Sequence, residues 1–107
     1  MTDARILLTT IGLKENAERL AQELLERRLV ACVNIVGPIR SLYRWKGKIE
    51  NEQEYLLLMK TTAAQILQLQ AAIKELHPYE LPECVELAID SGSERYLAWL
   101  AGEVKGP

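Results

Sequence analysis

The chain has 107 residues, 49% of them apolar, with 13 basic and 15 acidic side chains and a formal net charge of −2. This length and apolar content predict one domain with a core of its own, spanning residues 1–107. The near balance of charge argues against nucleic acid as a partner, because nucleic-acid binding favours a basic excess.

The sequence shows no sign of export or of membrane insertion. Its first residues lack a basic segment followed by an apolar one. No apolar run approaches the ~18 residues of a membrane span. Cys32 and Cys84 are too few for a disulfide framework, and without an export signal we expect free thiols. These features predict a cytoplasmic protein with no membrane partner.

The pattern of apolar residues predicts seven elements. In chain order they are a strand at 5–10, a helix at 14–29, a strand from 30 that is interrupted at 37–38 and resumes at 39–45, a strand at 54–60, a helix from 62 that ends before Pro78, a strand at 83–90 and a helix from 91. Helices are assigned where apolar residues recur every three or four positions, and strands where they alternate or form short runs. Residues 62–65 and 91–94 match the capping box that opens a helix. On the last strand, Val85, Leu87 and Ile89 are expected to face the core.

The order β-α-β-β-α-β with a terminal helix is that of the ferredoxin-like split βαβ fold of the α+β class. The segment from Val30 to Lys46 has 17 residues and would reach ~55 Å if extended. A domain of this length has a radius of gyration near ~13 Å. The long hairpin is therefore expected to overhang its own core and to be covered, with Tyr43 and Trp45, by another subunit.

Several motifs spread along the chain carry a family resemblance. In order they are Leu29–Ile35 (LVACVNI), Ser41–Glu50 (SLYRWKGKIE), Lys60–Thr61, His77–Glu83 (HPYELPE) and Tyr96–Trp99 (YLAW). Together they resemble the CutA family of divalent-cation tolerance proteins, with a match from about Arg5 to Leu100. The resemblance implies a tight homotrimer of ferredoxin-like subunits, tolerance to divalent metals and to copper in particular, and no enzymatic reaction. The trimeric shape also resembles the PII signalling proteins, which bind small effectors between subunits.

Two positions depart from the pattern of some family members. Where those members carry a cysteine in the first strand, this chain has Thr9 and Thr10, and Leu76 precedes His77, so that no histidine pair is available. A metal site that relies on that thiol does not transfer to this chain.

The candidate metal ligands are His77, Cys32, Glu80, Glu83 and Cys84. Imidazole and thiolate are ligands for copper and zinc, although a histidine at a helix end or a cysteine buried as a small hydrophobe explains the same residues. His77 and Glu83 lie up to ~20 Å apart along an extended chain. One segment cannot close a site whose ligands lie about 2.0–2.3 Å from the ion. We therefore expect further ligands from elsewhere in the fold or from a neighbouring subunit.

A second set of candidates serves ligand binding or an interface: Lys60, Tyr43, Trp45, Tyr79 and Trp99. Aromatic residues are enriched at interface cores, which favours packing over stacking on a ligand for Tyr43, Trp45 and Trp99. Lys60 either binds an anion or pairs with a carboxylate.

The hairpin carries a basic cluster followed by an acidic one. The basic residues are Arg40, Arg44, Lys46 and Lys48, and the acidic residues are Glu50, Glu52 and Glu54. We expect the two groups to pair across the strands.

Signatures of catalysis are missing, since the sequence offers no nucleophile with a positioned base, no Walker loop and no GxGxxG. The leading hypothesis is a homotrimer that binds copper or another divalent metal ion and contributes to metal-ion tolerance. One alternative is a PII-like signalling trimer that holds a small anion through Lys60, His77 and an arginine. Another is a structural module that stabilises a partner protein without any ligand.

Overall fold

The computed structural model describes residues 2–104. Its elements are β1 (Ala4–Ile11), α1 (Lys14–Glu26), β2 (Cys32–Trp45), β3 (Lys48–Thr62), a 3-10 turn (Ala63–Gln65), α2 (Ile66–Leu76), β4 (Val85–Ala88) and α3 (Glu94–Glu103). The strands form one antiparallel sheet in the order β2-β3-β1-β4. This is the predicted ferredoxin-like arrangement, and the α+β fold class is confirmed.

The core lies between α1, α2 and one face of the sheet. Alternate residues of β1 and β3 point into it, and Leu7, Leu57 and Met59 are fully buried. The opposite face, called the open face here, consists mainly of apolar residues: Ile6, Leu8, Val36, Leu56, Leu58, Val85 and Leu87. Side chains alternate between the two faces of a sheet, so the strands are apolar on both sides. Such strands are typical of sheets that are covered on both faces.

The hairpin formed by β2 and β3 overhangs the rest of the sheet, as predicted. The two strands have 14 and 15 residues, whereas β1 has eight and β4 four. Only Tyr55–Thr62 of β3 pair with β1, so residues 48–54 have β2 as their sole neighbour among the described strands. The described chain measures 44 × 25 × 22 Å. Lys46 and Gly47 form the tight turn, both with positive φ, which glycine adopts without steric cost.

The predicted interruption at Gly37-Pro38 is confirmed in the pairing of β2 with β3, but the strand itself continues through the dipeptide. The pairing of β2 with β3 shifts between Val36 and Ile39, and the Gly37–Pro38 peptide bond is cis. The ring of Tyr55 lies against Gly37, where a Cβ atom would come within 2.5 Å of Tyr55 Cδ2. The dipeptide therefore lies at an irregularity in the pairing, a position where a sheet tolerates proline.

Both helix starts differ from the capping-box prediction. Thr62 makes no side-chain capping bond, and the 3-10 turn opens α2 in its place. At α3 the N-cap is Ser93, two residues later than predicted, and its hydroxyl accepts a hydrogen bond from the Tyr96 N–H at 3.3 Å. Ser93 is the serine placed three residues before an amide that has no intrahelical partner, the Tyr96 N–H, as the capping geometry requires.

The faces of β4 are also reversed from the prediction. Val85 and Leu87 lie opposite Leu8 and Ile6 on the open face and are 46% and 47% exposed. Cys84 instead packs against the core cluster. The alternation was recognised in the sequence, but which side faces the helices depends on the pairing with β1.

The predicted charge pairing across the hairpin is wrong as well. Glu50 and Glu52 lie opposite Tyr43 and Ser41, whereas Arg40 and Arg44 lie opposite Gln53 and Ile49. Because successive residues of a strand point to opposite faces, the arginines form a basic face and the glutamates an acidic face. Lys46 pairs with Glu80 at 3.7 Å instead.

Candidate ligand site at His77

The end of α2 places His77 inside the molecule. The residue before a proline is disfavoured in the α region, and His77 accordingly leaves the helix with φ −81° and ψ 136°. Its N–H still donates to the Ile73 carbonyl at 2.8 Å. The side chain turns inward and is 6% exposed.

Both ring nitrogens of His77 are engaged in hydrogen bonds. Nδ1 lies 3.1 Å from the Tyr79 backbone nitrogen, and Nε2 lies 2.8 Å from the Thr10 carbonyl oxygen. A backbone N–H can only donate a hydrogen bond, so Nδ1 is the acceptor. Nε2 therefore carries the ring proton and donates the hydrogen bond to the Thr10 carbonyl oxygen. The geometry therefore fixes a neutral imidazole in a single tautomer.

Burial lowers the pKa of His77 from its ordinary value of 6.5. The Thr10 carbonyl and the charge of Glu54 act in the opposite direction and offset part of the effect. Desolvation disfavours the charged form of a base. The neutral form is thus favoured by the hydrogen bonds and by the surroundings of the ring.

A buried carboxylate lies beside this histidine. Glu54 is 3% exposed and accepts a 2.7 Å hydrogen bond from the Tyr79 hydroxyl. The Tyr79 ring also meets the His77 ring edge-on, with centroids 4.6 Å apart. Burial, followed by the hydrogen bond to Glu54, raises the pKa of Tyr79 above its ordinary value of 10. Gly12 leaves room for the Tyr79 hydroxyl, because a Cβ atom at position 12 would lie 3.2 Å from that oxygen.

The other acidic and thiol candidates of this segment lie apart from the imidazole. Glu80 is exposed and pairs with Lys46 at the hairpin turn, and Glu83 is exposed. Cys84 is partly buried against the core, and burial, with a smaller contribution from Glu83, raises the pKa of its thiol.

The remaining thiol lies on the open face. Cys32 is directly opposite Lys60 on β3, and its Sγ lies 3.7 Å from Asn34 Oδ1. Lys60 Nζ stands 5.7 Å from the centre of the Tyr96 ring, which packs against Trp99 at 5.5 Å. A cation over an aromatic face is a stabilising arrangement. Cys32, Lys60 and the α3 aromatics therefore form a second group, separate from His77.

The two hairpin aromatics occupy different positions along the overhang. Tyr43 is 40% exposed on the acidic face, and partial desolvation followed by the charges of Glu54, Glu52 and Glu50 raises its pKa. Trp45 is half-buried near the turn, with Lys46 Nζ 5.5 Å from its ring centre.

Within residues 2–104, no group of three or more His, Cys, Asp or Glu side chains is arranged to hold a metal ion. The donors of one chain alone do not fit a closed metal site, because His77 has both nitrogens engaged and the two cysteines lie in different places. Glu54 was not among the predicted site residues. Its position before the apolar run Tyr55–Met59 gave no sign that Tyr79 would cover it.

No helix among the described residues is long and apolar enough to cross a membrane.

The sheet order, the overhanging hairpin and the terminal helix define a small ferredoxin-like α+β protein of the PII-like shape. The family model for "CutA1 divalent ion tolerance protein" matches residues 5–103, so the chain belongs to the CutA family. The "Divalent-cation tolerance protein CutA" of Thermus thermophilus is 46% identical over 95 residues, which are 89% of this chain and 92% of that protein.

Solved structures agree with this assignment. The Thermus thermophilus protein described as "Divalent cation tolerance protein (Cut A1)" superposes with a TM-score of 0.93 at 43% identity, covering 95% of this chain and 99% of that one. The "PII-like protein CutA" of Nostoc sp. PCC 7120 superposes with a TM-score of 0.88 at 41% identity, covering 94% and 97%.

Proposed function

We propose that the protein contributes to tolerance of divalent cations by binding metal ions as a homotrimer in the cytoplasm, without catalysis. Membership of the CutA family over residues 5–103 carries this proposal. Copper is the first ion to test, because the available soft and borderline donors, thiol and imidazole, suit copper.

The open face supports the assembly. Val36, Val85 and Leu87 are each close to half exposed on a sheet face whose other residues are also largely apolar. Contiguous apolar surface of this kind marks an interaction site. A second copy of the chain is the proposed cover.

The proposed ion site requires donors from more than one subunit. Cys32 lies on the open face, where another copy would pack, and Glu80 and Glu83 are exposed on the segment that follows His77. His77 binds an ion only if the ring gives up its bond to the Tyr79 N–H or to the Thr10 carbonyl.

The test is calorimetric titration of copper, and then zinc, into the purified protein and into His77→Ala and Cys32→Ser variants. Light scattering first establishes that all three share one oligomeric state. Saturable binding at a fixed ratio per trimer, micromolar or tighter and lost in one variant, supports the site. Weak binding that neither substitution changes contradicts it.

One observation favours the PII-like alternative. Among the described residues, Lys60 has no carboxylate partner within salt-bridge distance, and its ammonium group lies over Tyr96 on the open face. An ammonium group in that position suits a small anionic effector held between subunits. This alternative predicts anion binding that competes with phosphate and is lost in Lys60→Met, with no dependence on either thiol. If neither metal nor anion binds, the structural module remains.

A further inference from the structure

Four charged residues of the hairpin have no ion-pair partner among the described residues. Arg40 and Arg44 form no ion pair with any described carboxylate, and the same is true of Glu50 and Glu52 toward described basic groups. The strand register places the two arginines on one face of the overhang and the two glutamates on the other. Rotamer changes within one hairpin therefore do not bring arginine and glutamate together.

Apolar residues accompany the arginines on the basic face. Leu42 is 64% exposed and Ile49 is 69% exposed, and both share the face of Arg40 and Arg44. Large apolar side chains next to arginines are typical of interface surface, since arginine is enriched at interfaces and lysine is depleted. The basic face therefore has the composition of a surface that another protein covers.

The acidic face offers the complementary charge. Glu50 and Glu52 precede the buried Glu54 along β3 at alternate positions, and Tyr43 lies beside them on β2. In a ring of identical subunits each interface joins two different patches, because the contact is head-to-tail. A hairpin that is basic on one face and acidic on the other provides such a pair of patches.

We propose that the basic face of one subunit's hairpin contacts the acidic face of the next subunit, so that Arg40 and Arg44 pair with Glu50 and Glu52 of a second copy. This inference rests on the proposed homotrimer and specifies one of its interfaces. Pairing of this kind sets the register of the subunits and discourages isologous contacts, which bring like charges together.

The test compares two double charge reversals, Arg40→Glu/Arg44→Glu and Glu50→Arg/Glu52→Arg, with a variant that carries all four changes. Arg19→Glu/Lys74→Glu, on the exposed surfaces of α1 and α2, is the control with the same change of net charge as the first reversal. Native mass spectrometry follows subunit exchange with an isotopically labelled copy of each variant.

Each double reversal should exchange at least about tenfold faster than wild type, because like charges then meet across the interface. The variant with all four changes should exchange subunits within about threefold of the wild-type rate. The exchange rate of the control should equal that of wild type. Far-UV circular dichroism checks folding, and Arg40→Gln/Arg44→Gln gives the same direction with a smaller effect if a reversal fails to fold.

Double reversals that exchange no faster than the helix control overturn the inference. So does a variant with all four changes that exchanges as fast as the double reversals. Light scattering on the wild-type protein separates this failure from that of the proposed function. A monomeric wild type contradicts the homotrimer itself, whereas a trimer with harmless reversals contradicts only the hairpin pairing.

Discussion

The hydroxyl of Tyr79 donates a 2.7 Å hydrogen bond to the carboxylate of Glu54, a side chain that is only 3% exposed. The bond joins the segment after α2 to the hairpin just beyond Tyr55, where β3 no longer pairs with β1. His77 contacts the same tyrosine through its ring and through Nδ1. The segment that carries the candidate site is therefore attached to the overhang at its base.

Replacing Tyr79 by phenylalanine should destabilise the protein by about 1–3 kcal/mol, because the buried carboxylate of Glu54 loses its donor. Urea unfolding at one fixed protein concentration measures the change, since the stability of an oligomer depends on concentration. Tyr96→Phe is the matched control, because the Tyr96 hydroxyl makes no hydrogen bond among those described and its ring still faces Lys60. Equal stability of the two variants would contradict this role of Tyr79.

Local patterns predicted the elements because their causes are local. The helical stripe of α2 placed Ile66, Leu69 and Ile73 in the core, where all three are buried. Pro78 ended the helix at the expected position, since the restriction it imposes acts on its neighbour in the chain.

Strand register depends on residues that are distant in sequence. For this reason the predicted core face of β4 and the predicted charge pairing across the hairpin are both wrong. Arg40 lies opposite Gln53 after a shift between Val36 and Ile39. A slip of one residue moves every side chain to the other face. The bond between His77 and Thr10 likewise joins residues 67 apart. No spacing within the HPYELPE motif reveals such a partner.

His77 should make the protein less stable below neutral pH. Its pKa in the folded chain lies below 6.5, so at intermediate pH the unfolded chain takes up a proton that the folded chain excludes. This contribution to stability is complete above pH 6.5 and is lost as the pH falls through the folded pKa. Urea unfolding between about pH 7.5 and 5.5 measures the slope.

His77→Gln is the comparison for this experiment. The chain has a single histidine, so the variant removes the only imidazole that titrates in this range. The decline in stability below pH 6.5 should be shallower in the variant. An identical slope in both proteins would assign the pH dependence to carboxylates instead.

Gly37→Ala should destabilise the hairpin, because its Cβ would lie 2.5 Å from Tyr55 Cδ2. Overpacking of this kind costs about 1–3 kcal/mol. The control is Gly102→Ala near the end of α3, where a Cβ meets nothing within 4 Å and alanine favours the helix by up to about 1 kcal/mol. Thermal unfolding should move the two variants in opposite directions. A neutral Gly37→Ala would show that the Tyr55 ring shifts without cost.

Leu87→Glu should prevent assembly while leaving the subunit folded. Leu87 is 47% exposed in the isolated chain, so a glutamate there keeps its charge in water until a second copy covers the open face. Burial of that unpaired charge opposes association. Leu67→Glu on α2 is the control, at a side chain that is 80% exposed. Light scattering should report a smaller mass for Leu87→Glu alone, with unchanged far-UV circular dichroism. A trimer that tolerates glutamate at Leu87 would mean that the subunits meet through another surface.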